Sequence, residues 1–263
     1  NLGASAMATG HYIRRKAKLG NPSLHTGIDP SKDQSYFLFA TTKKQLAFVR
    51  FPLGSLTKDE TRSVAKRHGL NVANKPDSQD ICFVPEGKYA DVVRKLRPGS
   101  IELGNIIDVN GNVLGKHNGI IDYTIGQRKG IGVGGRKGVD DNNSILYVIS
   151  LDTENNNVIV GPKEFLLCNK IKISDCNWLI DIVNETEFRV LVKIRNSSQP
   201  VTGTIKINFD ISLAYLTFDK PQFGVSTGQA AVFYNYKESS HILGGGWITE
   251  APNKSADIKF YNA

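Results

Sequence analysis

At Arg97-Pro98-Gly99 the chain changes its hydrophobic period, and that change constrains the fold more than any other feature. Ahead of it, Tyr89, Val92, Val93 and Leu96 recur at i, i+3, i+4 and i+7, the spacing of one face of an α-helix. Behind it the signals are those of strands and tight turns. Ile106-Ile-Asp-Val109 and Val113-Leu114 flank Asn110-Gly111, a pair that readily takes the positive φ angles of a two-residue hairpin loop. Ile145–Leu151 and Val158–Val160 flank an Asp/Asn-rich turn and predict a second hairpin. The chain is therefore expected to be α/β before Pro98 and all-β after it.

The α/β part has its own punctuation. The apolar run from Leu2 to Met7 reads as a short strand and Ala8-Thr-Gly-His-Tyr12 as the turn that follows. Gly10 and His11 then stand at the carboxyl end of a strand, where ligands gather in parallel sheets. Thr41 to Arg50 reads as a helix that stops before Pro52. Thr57-Lys-Asp-Glu60 is a capping box that opens a helix running to His68 and ending at Gly69. Lys32-Asp33-Gln34 reads as a polar loop entering an apolar strand, Tyr36-Phe-Leu-Phe39.

From about residue 165 short strands recur: Phe188–Ile194, Val201–Phe209, Ile211–Phe218 and Ala230–Tyr236. Such spacing suggests a closed barrel or a sandwich, with Phe188, Phe209, Phe218 and Phe233 in the core. A chain of 263 residues holds one large domain or two to three small ones. The expected division is 1–97 for the α/β part, 98–162 for a small central β domain, 163–250 for a β-barrel and 251–263 for a tail.

Composition narrows the function classes. No apolar run is long enough to span a membrane, and the first residues lack the basic start and apolar core of a signal peptide. The chain begins without methionine and in mid-pattern, which reads as part of a longer protein. Three cysteines, Cys82, Cys168 and Cys176, are an odd number without CxxC spacing, which argues for a reducing, cytoplasmic compartment. Five scattered histidines give no zinc pattern, and no metal site is expected from them. The formal net charge is +8. Residues 1–163 hold 23 Lys and Arg against 15 Asp and Glu, whereas residues 164–263 hold 10 against 10. The whole excess lies in the first part, as suits a polyanionic partner.

Two segments carry candidate chemistry. Tyr123 to Gly138 places four basic residues among six glycines, including Gln127, Arg128 and Lys129 in its first half. Glycines let a backbone approach a ligand closely, and lysine and arginine meet phosphate, so this is a candidate nucleic-acid contact. It lacks the GxxxxGK[ST] pattern of a P-loop. Cys82 sits in Asp77-Ser-Gln-Asp-Ile-Cys-Phe-Val84, at the head of a short apolar segment behind two carboxylates. A thiol there is either a nucleophile or a small packed hydrophobe, and the octapeptide alone does not choose between them.

Five segments in register choose. Ala8-Thr-Gly-His-Tyr12, Lys32-Asp-Gln-Ser-Tyr-Phe-Leu38, the Cys82 run, His117-Asn-Gly119 with Tyr123-Thr-Ile-Gly-Gln-Arg-Lys-Gly130, and Thr227-Gly-Gln-Ala-Ala-Val-Phe-Tyr234 with Leu243-Gly-Gly-Gly246 follow in order. Together, over residues 2 to about 249, they resemble the tRNA-specific 2-thiouridylases, which place sulfur on C2 of the wobble uridine. The resemblance implies an adenine-nucleotide α-hydrolase-like (PP-loop) domain, a small central β domain and a C-terminal β-barrel. It implies ATP, with Mg, to adenylate the uridine O2. A cysteine persulfide then attacks C2, AMP leaves, and a second cysteine resolves the product through thiol–disulfide exchange.

Carried across by motif, Cys82 matches the persulfide carrier and Gly10 a nucleotide-contacting glycine. His11 matches a tRNA-contacting position, as do Lys32, Asp33 and Gln34. Arg195 and Asn196 match a barrel pair, although Ser197-Ser198 departs from the tyrosine-containing pattern there, and Gln229 matches a barrel glutamine. Cys168 and Cys176 match nothing catalytic. The implied partners are the anticodon loop of tRNA with its wobble uridine, and a sulfur-relay protein or cysteine desulfurase. No membrane partner is expected, and the protein is expected to act as a monomer.

The departures are as informative. The PP-loop SGGxDS and the first catalytic cysteine do not occur in the sequence and are expected upstream of Asn1. The chain alone is therefore expected not to thiolate tRNA. Two alternatives remain: a non-catalytic RNA-binding protein built on the β domains, and a related PP-loop enzyme with another substrate, such as a small-molecule amide ligase. The basic glycine-rich loop and the barrel argue against the second.

Overall fold

The computed structural model describes residues 3–18, 21–71, 102–133, 145–182, 186–207 and 210–252. In chain order these form β1 (Met7–Ala8), β2 (Ile13–Lys18), β3 (Asn21–Thr26), α1 (Ser35–Leu38), α2 (Lys43–Phe48), β4 (Val49–Arg50) and α3 (Lys58–Arg67). Then come β5 (Gly104–Asp108), β6 (Val113–His117), β7 (Tyr147–Asp152) and β8 (Asn157–Gly161). Last are β9 (Leu167–Trp178), β10 (Thr186–Lys193), β11 (Val201–Ile207), β12 (Ala214–Phe223), β13 (Ala230–Asn235) and β14 (His241–Glu250). The chain divides into two compact units. One comprises Asn1–Pro76, Lys170–Lys220 and Thr227–Ala251; the other comprises Asp77–Asn169, Pro221–Ser226 and Pro252–Ala263.

In the first unit, β13-β10-β11-β12-β9-β14 form a sheet that β13–β14 pairing closes into a six-stranded barrel. The barrel resolves the choice between barrel and sandwich. Along β10, Val190 and Val192 are fully buried, and Val192 stands opposite the fully buried Phe233. Phe233 in turn stacks on Trp178 with centroids 5.3 Å apart. Phe218 is also buried, Phe188 is half-buried, and Phe209 lies outside the described residues.

The α/β segment packs on the outer side of this barrel. Ile13, Leu24, Phe39 and Leu46 join Leu179, Val232, Tyr234 and Ile242 in one buried cluster. The hairpin β2–β3 extends the barrel sheet, because β3 pairs with β14 at His25↔His241 and Leu24↔Ile242. That hairpin was not anticipated. Ile-Arg-Arg-Lys-Ala-Lys carries too much charge to look like a strand, and it forms one as an edge, where charge is tolerated.

Other local expectations shift. The first strand, expected to end at Met7, is confined to Met7–Ala8 among the described residues. The Tyr36–Phe39 run enters a one-turn helix, α1, and not a strand. The Thr41–Arg50 helix is confined to Lys43–Phe48, opened by a Thr42/Gln45 capping box, and Val49–Arg50 leave it to pair in parallel with Met7–Ala8. The Thr57/Glu60 capping box opens α3 as expected, and His68 closes it.

Strand β14 crosses Gly244-Gly245-Gly246. A Cβ on Gly245 would lie 2.7 Å from the Phe39 ring and 2.7 Å from the Ala231 carbonyl. The missing side chain lets the aromatic ring press on the barrel backbone. Asn177 secures the same joint, its amide donating to the Phe39 and Thr41 carbonyls at 2.7 and 2.9 Å.

The second unit holds the sheet β6-β5-β8-β7, with β5–β8 parallel and the other pairs antiparallel. Both expected hairpins are present. At the first turn Asp108 accepts from the amides of Asn110 and Asn112 at 2.8 Å, and Gly111 takes φ +89°. Neighbouring residues feed opposite faces: Ile106, Val148 and Val158 one core, Ile107, Ile149 and Ile159 the other. The helix expected at Tyr89–Leu96 lies outside the described residues.

Candidate functional site

On the barrel unit a polar cleft of about 450 Å³ lies between the loop from Thr26 to Asp33 and the turn from Asn196 to Pro200. Its walls are about 160 residues apart in sequence. They carry one residue from each of two groups singled out above, Asp33 of the Lys32-Asp33-Gln34 triplet and Asn196 of the Arg195-Asn196 pair. The volume falls within the range of ordinary small-ligand clefts, roughly 300–1,000 Å³.

The first wall is held by its own side chains. Asp33 accepts from the Gly27 amide at 2.9 Å and from the amide and hydroxyl of Ser35 at 3.2 and 2.6 Å. The Ser35 hydroxyl lies 2.8 Å from the Tyr234 hydroxyl, and both residues are almost wholly buried. Burial pushes the Tyr234 phenol above its ordinary pKa, so it stays neutral as floor of the cleft. Gln34 accepts from the Tyr12 amide at 2.8 Å, and the Gln34 amide donates back to the Tyr12 carbonyl. A Cβ on Gly27 would stand 2.8 Å from that same carbonyl, so glycine permits the loop to close on Tyr12. Asp33 and Gln34 thus position the loop, and Lys32 stands half-buried beside them.

The second wall is a compact turn. Ser198 donates from its amide and its hydroxyl to the Arg195 carbonyl, at 3.2 and 2.9 Å. Asn196 is exposed on it. The Arg195 guanidinium acts electrostatically on Tyr36, whose hydroxyl donates to the Ala230 carbonyl at 3.0 Å. Next to Ala230, the Gln229 carbonyl accepts from the Ile248 amide, while its side-chain Oε1 is buried without a hydrogen-bond partner among the described residues. Lys193, which sequence reasoning passed over, also lines the cleft. In the sequence it is one more lysine at the end of a strand.

His11 and Gly10 sit at the carboxyl end of β1. His11 Nδ1 lies 2.7 Å from the Thr9 hydroxyl, and a Cβ on Gly10 would touch only Leu53, at 3.7 Å. Bare backbone at this strand end leaves room for a ligand, but the sequence holds neither the GxxxxGK[ST] nor the SGGxDS pattern that cradles nucleotide phosphates. Among the described residues no three His, Cys, Asp or Glu side chains cluster as metal ligands.

In the second unit the glycine-rich segment begins as an ordered loop. Gln127 accepts from the Thr124 amide at 3.0 Å and donates to the Lys129 carbonyl at 2.9 Å. Backbone bonds from Gly126 to Val148 and from Val148 to Gln127 fasten the loop to β7. Gln127 is a staple of this loop, and Arg128 and Lys129 are exposed on it. His117 is structural: it is buried, its Nε2 lies 3.0 Å from the Asn156 carbonyl, and its Nδ1 accepts from the Gly119 amide. Arg136 and Lys137 lie outside the described residues.

Cys82 lies outside the described residues as well. The other two thiols are poor nucleophiles. Cys168 is fully buried. Burial, with the Asp175 and Asp210 carboxylates adding, pushes the Cys176 thiol up to about 12.

Comparison with known proteins accounts for nearly the whole chain. Residues 1–86 match a tRNA methyl transferase HUP domain, residues 91–162 a tRNA methyl transferase PRC-barrel domain, and residues 168–248 an aminomethyltransferase beta-barrel domain. The chain is 52% identical over 251 residues to the tRNA-specific 2-thiouridylase MnmA of Cereibacter sphaeroides, covering 94% of this chain and 64% of that protein. It is 48% identical over 252 residues to that of Rhodospirillum centenum, covering 95% and 63%. To that of Rickettsia canadensis it is 51% identical over 251 residues, covering 94% and 65%. The chain thus spans a little under two thirds of the length of these relatives. Among the described residues no helix is long and apolar enough to cross a membrane. With the three domain types in order, a closed barrel and about half of all residues shared with these proteins, the chain belongs to the tRNA-specific 2-thiouridylase family.

Proposed function

We propose that this chain is the RNA-binding and sulfur-carrying part of a tRNA-uridine 2-sulfurtransferase. The observation that carries the reading is the cleft: Asp33, from the Lys32–Gln34 loop, and Asn196, next to Arg195, stand on opposite walls of it although they are distant in sequence. The exposed Arg128 and Lys129 and the positive excess of residues 1–163 add electrostatic attraction for a phosphate backbone.

In this reading the wobble uridine leaves its stack to reach Cys82, as chemistry on a base requires. ATP, with Mg, supplies activation of the uridine O2, which is otherwise a poor leaving group. That step belongs to a PP-loop and a first cysteine that the chain's own residues do not supply. Cys82 carries the terminal sulfur as a persulfide. This sulfur forms the bond to C2, AMP departs, and the partner cysteine breaks the S–S bond to Cys82, leaving a disulfide. A cellular dithiol reduces that disulfide to two thiols, a sulfur-relay protein or cysteine desulfurase then reloads Cys82 in the cytoplasm, and the enzyme works as a monomer. The 263-residue chain alone is inactive in thiolation.

The test is titration of tRNA into the chain across a range of salt concentrations, with Arg195→Ala beside the wild type. The reading predicts a steep fall of affinity with salt and roughly tenfold weaker binding by the variant, the scale of one lost charged contact. Salt-independent binding, or a variant equal to wild type, contradicts it.

A further inference from the structure

Lys193 ends β10 on the outer side of the barrel. Its neighbour Val192 faces Phe233 across the ladder and is fully buried, while Lys193 stands opposite Val232. Leu191, two residues back on the same side, packs against the apolar cluster that seats the α/β segment. Lys193 therefore emerges at the rim of that cluster and lines the cleft. It is half-buried, and no carboxylate among the described residues pairs with it. Its stem packs at the cleft rim while the ammonium is left to meet an anion there.

The rest of the lining decides which anion. Asn196, Ser197, Gln199 and Ser239 present amide and hydroxyl groups. Asp33 is the only acid among the described lining residues, and its oxygens already accept three hydrogen bonds from Gly27 and Ser35. Among the described lining residues no aromatic face is open for stacking, since Tyr234 is 1% exposed. One cation among hydroxyls and amides, with no stacking platform, suits a phosphate and its ribose better than a base.

We propose that Lys193 binds a backbone phosphate of the RNA, and that the cleft takes a phosphate–ribose segment without reading its sequence. This rests on the tRNA reading above and adds to it the residue and the part of the nucleotide recognised.

The experiment titrates two tRNA transcripts of unrelated anticodon-loop sequence into wild type, Lys193→Gln and Lys193→Arg at several salt concentrations. Lys193→Gln is expected to weaken both transcripts by about tenfold and to lower the salt slope by about one, with Lys193→Arg close to wild type. Loss confined to one transcript overturns the backbone role. So does unchanged binding by Lys193→Gln while Arg195→Ala still binds weakly, and that result leaves the tRNA reading standing. Failure of the wild type to bind either transcript removes both. A second measurement needs no variant: reductive methylation of the Lys193 amine should slow severalfold when tRNA is bound. An unchanged rate overturns the proposal, as does protection by millimolar inorganic phosphate with none by tRNA.

Discussion

The hydroxyls of Ser35 and Tyr234, 199 residues apart, lie 2.8 Å from each other in the buried floor of the cleft. Ser35 also donates to Asp33, so one chain of hydrogen bonds ties the α/β loop to the barrel strand beneath it. Removing the phenol leaves a buried serine with one partner fewer. Tyr234→Phe should destabilise the protein by about 1–2 kcal/mol, as measured by urea unfolding. It should weaken tRNA binding less than Arg195→Ala does, because no charge is lost. A variant as stable as wild type would show that the bond does not brace the loop.

Gly245 is fixed by what surrounds it. With the Phe39 ring and the Ala231 carbonyl both 2.7 Å from where a Cβ would stand, neither neighbour has room to give. Gly245→Val should cost roughly 3 kcal/mol or more, the range of forced overpacking beside rigid backbone. A melting curve superimposable on wild type would contradict the seating of Phe39 on β14.

The fold was legible where side chains announce local hydrogen bonds. Thr57 with Glu60 and Asn110 with Gly111 mark a helix start and a turn whatever the rest of the chain does. It was illegible where tertiary contact overrides propensity. Three glycines in β14 argue against a strand, and only close neighbours explain them: Phe39 and the Ala231 carbonyl at Gly245, and the adjoining strand β9 at Gly244 and Gly246. Strand β9 hides its period behind a bulge at Asp175, whose φ is +51°. The cleft could not be read at all from spacing, because its walls meet only when the barrel closes. Lys193 acquires a role from position alone, and Asp33 and Gln34 prove to hold their loop together through bonds that a sequence does not display.

His25 makes stability depend on pH. It is 3% exposed, lies against His241 with ring centroids 4.9 Å apart, and its ring nitrogens lie near the hydroxyls of Ser23 and Ser240. Burial, reinforced by Lys16, His241 and Arg14 and opposed by Glu238, pushes its pKa down from 6.5 to about 4. The unfolded chain takes up this proton near pH 6.5 and the folded chain only near pH 4. Stability from the neutral ring is full above 6.5 and is lost as pH falls from 6.5 to 4, by on the order of 3 kcal/mol. Urea unfolding at stepped pH should show the decline, and His25→Gln should flatten it. An equal decline in the variant would assign it to other groups.

The thiols should react unequally. Cys168 is buried and the Cys176 thiol is raised to about 12, so neither offers thiolate at pH 8. Iodoacetamide labelling of the folded protein, mapped by peptide mass, should fall on Cys82 and disappear in Cys82→Ser. Labelling of Cys176 at a comparable rate would contradict the ordering.

The most direct measurement is sulfur incorporation into tRNA by the chain joined to the PP-loop segment of a thiouridylase relative, comparing wild type with Cys82→Ser. The account predicts ATP-dependent 2-thiouridine from the wild type. It predicts none above background from Cys82→Ser, with tRNA affinity unchanged. Thiolation retained in the variant would contradict the role of Cys82 as the sulfur carrier.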